Sequence, residues 1–320
     1  MSERILITGA DGFVGRHVIE ALLKRPGEAN RIFATCRAGC RAFPASVETV
    51  ALDVTEPLQV QRVVAETKPT TILHLAAIAA TQDAQKDRGH TWSVNLTGTM
   101  SLAEATLTSV PDARFIYIGS AEVYGSTFQV QSGPLDEDAT LRPTTSYAAS
   151  KAAADLLVGQ MVHTGLNAVR FRPFNHTGPG QTTRFVVPAF ASQIARIEAG
   201  LQQPVIKVGN LEPARDFLDV RDVVRAYVQA IFAEDLRPGS IFNIASGIPR
   251  TIASVLRGLC DLSRVEIAVE QDEGVLRRNE VMSATGNAEV GRSALDWQPR
   301  IPWEQTLRDV LEEHRNALRV

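Results

Sequence analysis

The fold of this 320-residue chain is decided by the stretch Arg4-Ile-Leu-Ile-Thr-Gly9-Ala-Asp-Gly12-Phe-Val-Gly15-Arg16. A short β-branched run comes first, a turn with three glycines follows it, and a helical pattern begins immediately afterwards. Only small residues let the backbone approach a pyrophosphate at such a turn, while the helix N-terminus supplies N–H donors and a favourable dipole. The order of strand, glycine turn and helix therefore predicts a dinucleotide-binding site, the alternative being an ordinary tight turn.

The rest of the first half repeats this alternation of short apolar runs and amphipathic stretches. Strands are predicted over residues 4–8, 32–36, 49–52, 71–75, 114–118 and 168–172. Helices are predicted over residues 12–24, 59–67, 95–108 and 146–163. This pattern is typical of an α/β fold with a doubly wound parallel sheet of the Rossmann type, whose ligands bind at the carboxyl ends of the strands.

The pattern becomes less regular after residue 172, where prolines interrupt shorter elements. We expect residues 1–172 to form an NADP-binding Rossmann domain, with residues 204–245 contributing in part. Residues 173–203 and 246–320 are expected to form a smaller, discontinuous C-terminal substrate-binding subdomain. Two strand-like runs, 204–208 and 240–245, are candidates to return to the sheet.

Composition excludes several classes of protein. Lys plus Arg number 33 and Asp plus Glu number 36, so the net charge of −3 lacks the basic excess of a nucleic-acid binder. The longest uncharged apolar run, residues 72–80, is far shorter than the ~20 residues of a membrane span, and the N-terminus leads into the glycine turn instead of a signal sequence. Cys36, Cys40 and Cys260 lack the spacing of a disulfide framework or a metal site. We expect a cytoplasmic protein without a metal, a membrane partner or a nucleic-acid partner.

The end of the second predicted strand distinguishes the two nicotinamide dinucleotides. A site that prefers NAD usually offers a carboxylate there, whereas this chain has Ala34-Thr-Cys-Arg37, with Arg41 close behind. NADP, as NADPH, is therefore favoured over NAD. Arg37 would pair with the 2′-phosphate, the alternative being a solvated surface arginine. Further cofactor-binding residues are predicted at the glycine turn and at the ends of other strands: Gly9, Gly12, Phe13, Val14, Gly15, Asp53, Val54, Leu75, Ala76 and Ala77.

The catalytic candidates lie near the fifth and sixth strands. Tyr147 and Lys151 stand four residues apart at the start of a predicted helix, and so on one face of it. A phenol is a poor acid–base group at neutral pH, and we expect the Lys151 ammonium to favour the phenolate of Tyr147. Ser120 follows the fifth strand and can donate a hydrogen bond to a carbonyl oxygen that Tyr147 protonates. Glu122 could abstract a proton or bind a sugar hydroxyl, and the residues alone leave both roles open.

These motifs resemble those of the extended short-chain dehydrogenase/reductases that act on nucleotide sugars. TGADGFVG, HLAA, GSAEVYG and YAASK occur in this order, and the resemblance covers nearly the whole chain. Further segments, from Arg172 to Gln181, from Phe185 to Pro188 and from Val208 to Val223, are similar to the GDP-sugar branch of this family. GDP-4-dehydro-6-deoxy-D-mannose reductases resemble the chain first, and GDP-mannose 4,6-dehydratases second.

The resemblance implies roles for residues that spacing alone does not identify. It assigns Asn175 and Arg215 to the diphosphate and ribose of a GDP-linked 4-keto-6-deoxy sugar, with help from Arg277 or Arg278. Other implied positions are Val187 and Glu122 for the substrate, and Phe174 and Asn95 for the cofactor site, where Asn95 would anchor the Lys151 region through water. The family also implies a homodimer built as a four-helix bundle from the helices over residues 95–108 and 146–163.

The implied reaction is the reduction of C4 of the sugar by NADPH, with Tyr147 as the proton donor, giving a GDP-6-deoxyhexose such as GDP-D-rhamnose. The alternative is a GDP-mannose 4,6-dehydratase, in which Glu122 is the base at C5. Ala121 precedes Glu122 where dTDP-glucose dehydratases have Asp, which argues against that dehydratase but not against the GDP-mannose enzymes. A nucleotide-sugar C4 epimerase and a non-catalytic NADP-sensing protein are further alternatives, and the presence of both Tyr147 and Lys151 argues against the last of these.

Overall fold

The structure is a computed structural model, and it describes residues 3–25, 30–37, 39, 42–271 and 281–319. The implied substrate residues Arg277 and Arg278 lie outside the described residues, as does Arg41. The strands are β1 (Arg4–Thr8), β2 (Arg31–Cys36), β3 (Val47–Ala51), β4 (Thr71–His74), β5 (Arg114–Ile118), β6 (Ala168–Pro173), β7 (Asn175–Thr177), β8 (Val205–Val208), β9 (Ala214–Asp219), β10 (Ile241–Ile244), β11 (Pro249–Thr251), β12 (Ala268–Gln271) and β13 (Ser283–Ala284).

The α-helices alternate with the strands in the first half and are clustered in the second. They are α1 (Phe13–Leu23), α2 (Pro57–Thr67), α3 (Thr81–Lys86), α4 (Arg88–Trp92), α5 (Gly98–Ser109), α6 (Thr127–Val130), α7 (Ser146–Val162), α8 (Val186–Glu198), α9 (Val220–Phe232), α10 (Ile252–Cys260), α11 (Glu289–Leu295) and α12 (Trp303–Ala317). A π-helix, Ser93–Thr97, and a 3₁₀ turn, Ala121–Tyr124, complete the described helices. None of the helices in the described part of the chain has the length and apolar character needed to cross a membrane.

The central sheet is parallel and has seven strands in the order β10-β6-β5-β4-β1-β2-β3. One face packs its apolar side chains against α1 and α9, and the other face packs against α2, α5 and α7. Strand order reverses between β1 and β4, so the connections lead away from each other there and leave a crevice at the carboxyl ends. The predicted doubly wound Rossmann fold is confirmed.

The second half differs from its prediction in one of the two runs expected to return to the sheet. Residues 241–244 do so as β10, beside β6, but β8 pairs with β12 in a separate two-stranded sheet. A third apolar core explains this, because β8 contributes Ile206 and Val208 to a cluster formed with α8, α10 and α12. The domain boundaries given above stay predictions.

Two local features were not expected from the sequence. The helix predicted over residues 95–108 begins as a π-helix and becomes α-helical only at Gly98. Cys36, at the end of β2, is disulfide-bonded, so the sequence pattern failed to predict a disulfide that the fold allows. Cys260 is a free thiol.

Candidate active site

A cavity of about 290 Å³ opens at the carboxyl ends of β1, β4, β5 and β6. Many of the residues singled out in the sequence line it: Gly9, Gly12, Phe13, Val14, Gly15, Leu75, Ala77, Ser120, Glu122, Tyr147, Lys151, Phe174 and Asn175. They come from five separate segments of the chain, which the parallel sheet brings to one edge. We call this cavity the cleft.

The glycine turn approaches the neighbouring strand so closely that side chains cannot be added. Gly9 has φ of +66°, and a Cβ there would lie 2.8 Å from the backbone nitrogen of Ala76. A Cβ on Gly15 would lie 2.6 Å from the carbonyl oxygen of Ala10. Helix α1 begins after Gly12 without a side-chain cap and without an acidic residue in its first turn. Its first N–H groups and its dipole therefore remain available to an anionic group.

A buried histidine joins this turn to the rest of the sheet. The His74 ring is hydrogen-bonded through Nδ1 to Thr8 Oγ1 at 2.7 Å and through Nε2 to Thr99 Oγ1 at 2.9 Å. Burial, and then the charge of Lys151, lower the pKa of His74 to about 3, so the ring is neutral. Thr99 donates its own proton to the carbonyl of Asn95, which leaves Nε2 of His74 as the donor and Nδ1 as the acceptor. This series of hydrogen bonds therefore links the ends of β1 and β4 to α5.

Tyr147 and Ser120 meet on the opposite wall of the cleft. Thr145 caps α7 by accepting a hydrogen bond from the N–H of Ala148, which places Tyr147 in the first turn with 8% of its surface exposed. Burial, followed by the nearby charge of Glu122, raises the pKa of Tyr147, and the Ser120 hydroxyl lowers it. The phenol therefore keeps its proton at neutral pH.

Lys151 lines the same cleft as Tyr147, and its ammonium group is held by residues of β5. Its Nζ donates to the carbonyl of Ile118 at 2.7 Å and lies 5.2 Å from the centre of the Tyr117 ring. Burial lowers the pKa of Lys151 to about 7, while the charge of Asp155 opposes this effect. Burial of the phenol and the charge of Glu122 thus raise the pKa of Tyr147, and the expected role of Lys151 in favouring its phenolate stays a prediction.

Asn95 supports the catalytic helix from within the π-helix. Its Nδ2 donates to Ser150 Oγ at 2.9 Å, and Ser150 in turn donates to the carbonyl of Tyr147 at 2.8 Å. Its Oδ1 accepts the N–H of Ile78 at 2.8 Å. Asn95 is 1% exposed and is not among the residues that line the cleft, and it contacts α7 through Ser150; its expected link to Lys151 through water stays a prediction. π-Helical turns often occur at functional sites, and here the turn accommodates this buried amide.

The residues expected at the adenosine end are not part of the cleft lining, and they follow the neighbouring strands β2 and β3. Arg37 is exposed after β2. Hydrogen bonds from Thr55, and to a smaller extent the charge of Arg37, lower the pKa of Asp53. Val54 is buried against Gly98, where a Cβ would lie 2.8 Å from its side chain, so its visible role is packing.

The remaining substrate residues are less closely grouped. Asn175 lines the cleft at the start of β7. Val187 is buried in the apolar cluster under α8. Arg215 lies on β9 and donates to the carbonyls of Ala214 and Val281 at 2.9 and 2.8 Å. Among the described residues, no group of three or more His, Cys, Asp or Glu is placed to hold a metal ion.

Comparison with known proteins gives the family. Residues 5–245 match the NAD dependent epimerase/dehydratase family. The chain belongs to this family. Its sequence motifs and its parallel sheet are those of an extended short-chain dehydrogenase/reductase.

Two curated proteins and one solved structure are similar to the chain along nearly their whole length. GDP-6-deoxy-D-mannose reductase from Pseudomonas aeruginosa is 32% identical over 320 residues, which cover 100% of this chain and 99% of that protein. GDP-6-deoxy-D-talose 4-dehydrogenase from Aggregatibacter actinomycetemcomitans is 29% identical, covering 98% of each. The solved structure of RMD from Pseudomonas aeruginosa complexed with NADPH has a TM-score of 0.82 and 31% identity, and covers 99% of this chain and 100% of that chain.

Several lining residues of this epimerase/dehydratase family member were missed in the sequence. They are Ala79, Ile118, Gly119, Ala121, Pro173, His176, Gln181, Phe185 and Tyr227. His176 stacks on Phe13 with ring centres 6.3 Å apart, and Gln181 is fixed by bonds to Thr177 Oγ1 and to the carbonyl of His176. Pro173 and His176 could have been found from the sequence, because each is adjacent to a predicted site residue. No such signal pointed to Tyr227, because it lies far along the chain in an amphipathic helix.

Proposed function

We propose that the protein is an NADPH-dependent reductase that converts the C4 keto group of GDP-4-dehydro-6-deoxy-D-mannose to an alcohol, giving a GDP-6-deoxyhexose such as GDP-D-rhamnose. The observation that carries the proposal is that Ser120, Tyr147 and Lys151 line the same cleft as the glycine turn. Full-length similarity to a GDP-6-deoxy-D-mannose reductase supports the choice of sugar nucleotide.

The described residues fit a nicotinamide dinucleotide. The uncapped start of α1 suits a pyrophosphate, and Gly9 and Gly15 leave no room for a Cβ where the backbone must stay close. Arg37, exposed after β2, would hold the 2′-phosphate that distinguishes NADPH from NADH. When bound, NADPH supplies the hydride for C4.

The chain's own contribution to the reduction is a proton and its placement. Tyr147 holds a proton at neutral pH because burial and Glu122 raise its pKa, and it would deliver this proton to the carbonyl oxygen at C4. Ser120, on the same wall, would donate a hydrogen bond to that oxygen. The ammonium group of Lys151, which donates a hydrogen bond to the carbonyl of Ile118, would stabilise the phenolate of Tyr147 once the proton has been delivered.

The substrate would lie across the mouth of the cleft, beyond the reacting carbonyl. Glu122 and Asn175 are exposed there and are placed to bind sugar hydroxyls or the diphosphate. Arg215, Val187 and the arginines at 277 and 278 remain implied by the family resemblance. A dehydratase is the second candidate, because Glu122 is a carboxylate that faces the cleft close enough to Tyr147 to raise its pKa.

The deciding experiment measures the loss of NADPH absorbance with freshly generated GDP-4-keto-6-deoxymannose. The same protein is incubated in parallel with GDP-mannose alone, and the sugar nucleotides are separated by chromatography. Consumption of NADPH with the keto sugar, and unchanged GDP-mannose, is the expected outcome. Formation of the keto sugar from GDP-mannose without net cofactor turnover would instead identify a dehydratase with Glu122 as its base.

We also propose a cytoplasmic homodimer that packs α5 and α7 of each subunit into a four-helix bundle. The two helices contact each other side by side, and Leu156 on α7 is 62% exposed although it is a large apolar residue. Multi-angle light scattering should give the mass of two chains. A Leu156→Glu variant should shift that mass toward one chain, and a wild-type protein of single-chain mass would end the proposal.

A further inference from the structure

Tyr227 is a buried tyrosine that borders the cleft from the side opposite Tyr147. It lies on α9, which packs against α1 on one face of the sheet, whereas Tyr147 and Lys151 belong to α7 on the other face. The Tyr227 ring meets Phe171 of β6 edge to face, with ring centres 5.2 Å apart. The side chain is 0% exposed and still lines the cleft.

The hydroxyl of Tyr227 differs from the other tyrosine hydroxyls in having no hydrogen-bond partner among the residues that the structure describes. Tyr117 donates to the carbonyl of Lys151, and Tyr124 is bonded to Asn243 and Arg172. Tyr147 interacts with Ser120. A buried hydroxyl without a partner costs free energy, so a native structure that keeps one is expected to satisfy it in another state.

We infer that the Tyr227 hydroxyl is a cofactor-binding group, which donates a hydrogen bond to an acceptor oxygen on the nicotinamide half of the bound dinucleotide. This inference rests on the nicotinamide cofactor of the proposed function, but not on the identity of the sugar. A phenol is the right donor for this purpose, because burial and then the proximity of Tyr147 raise the pKa of Tyr227 and keep its proton in place.

The strand on which Tyr227 packs indicates which half of the cofactor would lie near its hydroxyl, namely the nicotinamide half. Its neighbour Phe171 is paired in register with Ile118, the residue whose carbonyl holds Lys151. These strands, β5 and β6, lie on one side of β1, whereas β2 and β3, which Arg37 and Asp53 follow in the sequence, lie on the other side. The 2′-phosphate and adenine would bind near Arg37 and Asp53, so the end of the cofactor near Tyr227 is the one that reacts.

The test compares the Tyr227→Phe variant with wild type in two binding titrations by calorimetry. NADPH is one ligand, and adenosine 2′,5′-bisphosphate, which lacks the nicotinamide half, is the other. Loss of one hydrogen bond should weaken NADPH binding about threefold to tenfold and leave the binding of adenosine 2′,5′-bisphosphate unchanged. The ligand-free variant should melt at the wild-type temperature or above it, because the substitution removes an unpartnered hydroxyl.

Tyr124→Phe is the matched control, since it deletes a buried hydroxyl that has partners and lies outside the cleft lining. It should melt below wild type and bind NADPH with unchanged affinity. Unchanged NADPH affinity in Tyr227→Phe would overturn the inference, and so would equal weakening of both ligands. A melting temperature of ligand-free Tyr227→Phe lowered as far as that of Tyr124→Phe would also overturn it, because the hydroxyl would then be satisfied without a ligand. Each outcome is independent of whether the sugar is a GDP-deoxyhexose.

Discussion

Two of the fully buried aspartates, one on α7 and one on β9, have carboxylates that are stabilised differently. Asp155, one helical turn after Lys151, pairs with Arg170 and Arg172 at 3.0 Å. Asp216, on β9, accepts hydrogen bonds from neutral groups, the N–H and hydroxyl of Ser246 and the N–H groups of Gly247 and Gly286. The proposed catalytic side, which carries Tyr147 and Lys151, is thus supported by opposite charges, whereas β9, which carries Arg215 on the proposed substrate side, is supported by dipoles.

This difference follows from what each carboxylate supports. Asp155 is a buried residue of α7, and its charge opposes the lowering of the Lys151 pKa by burial and so favours the ammonium form. Asp216 joins the loops after β10 and before α11 to β9, and burial raises its pKa although the hydrogen bonds from Ser246, Gly247 and Gly286 oppose this rise. The charged network around Asp155 therefore maintains the electrostatic environment of Lys151. The hydrogen bonds to Asp216 instead fix the path of the two loops. Substitutions should therefore have unequal effects on the two sides.

The largest effect on stability is expected from Asp155→Asn. The substitution leaves two guanidinium groups without an anion in the core, and breaking such a buried pair costs about 3–5 kcal/mol. Asp216→Asn keeps a polar group of the same shape among neutral donors, so the loss should be smaller, about 1–3 kcal/mol. Denaturant unfolding followed by tryptophan fluorescence measures both, and equal losses would contradict the comparison.

The effect of Asp216→Asn on the free energy of unfolding should depend on pH. A carboxyl whose folded pKa is raised contributes stability that is fully present below its unfolded pKa of 3.8 and is lost as pH rises through the folded pKa. The Asp216→Asn variant has no carboxyl at this position, so it does not lose this stability as the pH rises. The gap in unfolding free energy between wild type and variant should therefore narrow as pH rises from about 4 to about 7.

Tyr147→Phe tests the catalytic side directly. Removal of the proton donor should lower kcat by about a hundredfold to ten-thousandfold, because general acid catalysis contributes about that much. Steady-state kinetics with NADPH and the keto sugar measure the effect, and Tyr124→Phe is the matched loss of a hydroxyl away from the cleft. Near-normal turnover in a folded Tyr147→Phe protein would show that another group supplies the proton.

Arg37→Asp tests the adenosine end, outside the cleft. Loss of a charged partner for the 2′-phosphate should move the ratio of kcat/KM for NADPH over NADH by about tenfold to a hundredfold toward NADH. Arg62→Asp, the same charge change at an exposed position on α2, is the control and should leave the ratio unchanged. An unaltered ratio in Arg37→Asp would remove Arg37 from the cofactor site.

Glu122→Gln should have the smallest effect if the protein is a reductase. The Glu122 charge raises the pKa of Tyr147, so its removal lowers that pKa. Because the phenol must be protonated to act as an acid, the basic limb of the kcat profile should shift to lower pH, with less than about a tenfold loss at neutral pH. Abolished activity would point to Glu122 as a base, with Glu66→Gln on exposed α2 as the control.

The catalytic side was the easier one to predict from the sequence, for a physical reason. The glycine turn directly follows β1, Ser120 follows β5, and Tyr147 and Lys151 share one helix face. Each of these is a short-range spacing, and a parallel sheet necessarily brings its strand ends together. On the substrate side, Val187 and Arg215 belong to elements whose partners are distant in sequence, and the predicted return of residues 204–208 to the sheet was wrong.

By itself the sequence determined the order of strands and helices, the glycine turn and the candidates for acid–base residues, because periodicity and local spacing encode them. Only the tertiary structure decided that Lys151 turns to Ile118, that the pKa of Tyr147 is raised and that Tyr227 borders the cleft without a partner. Burial and electrostatic interactions are sums over neighbours from many segments. They exist only once the chain has packed those segments around one cavity.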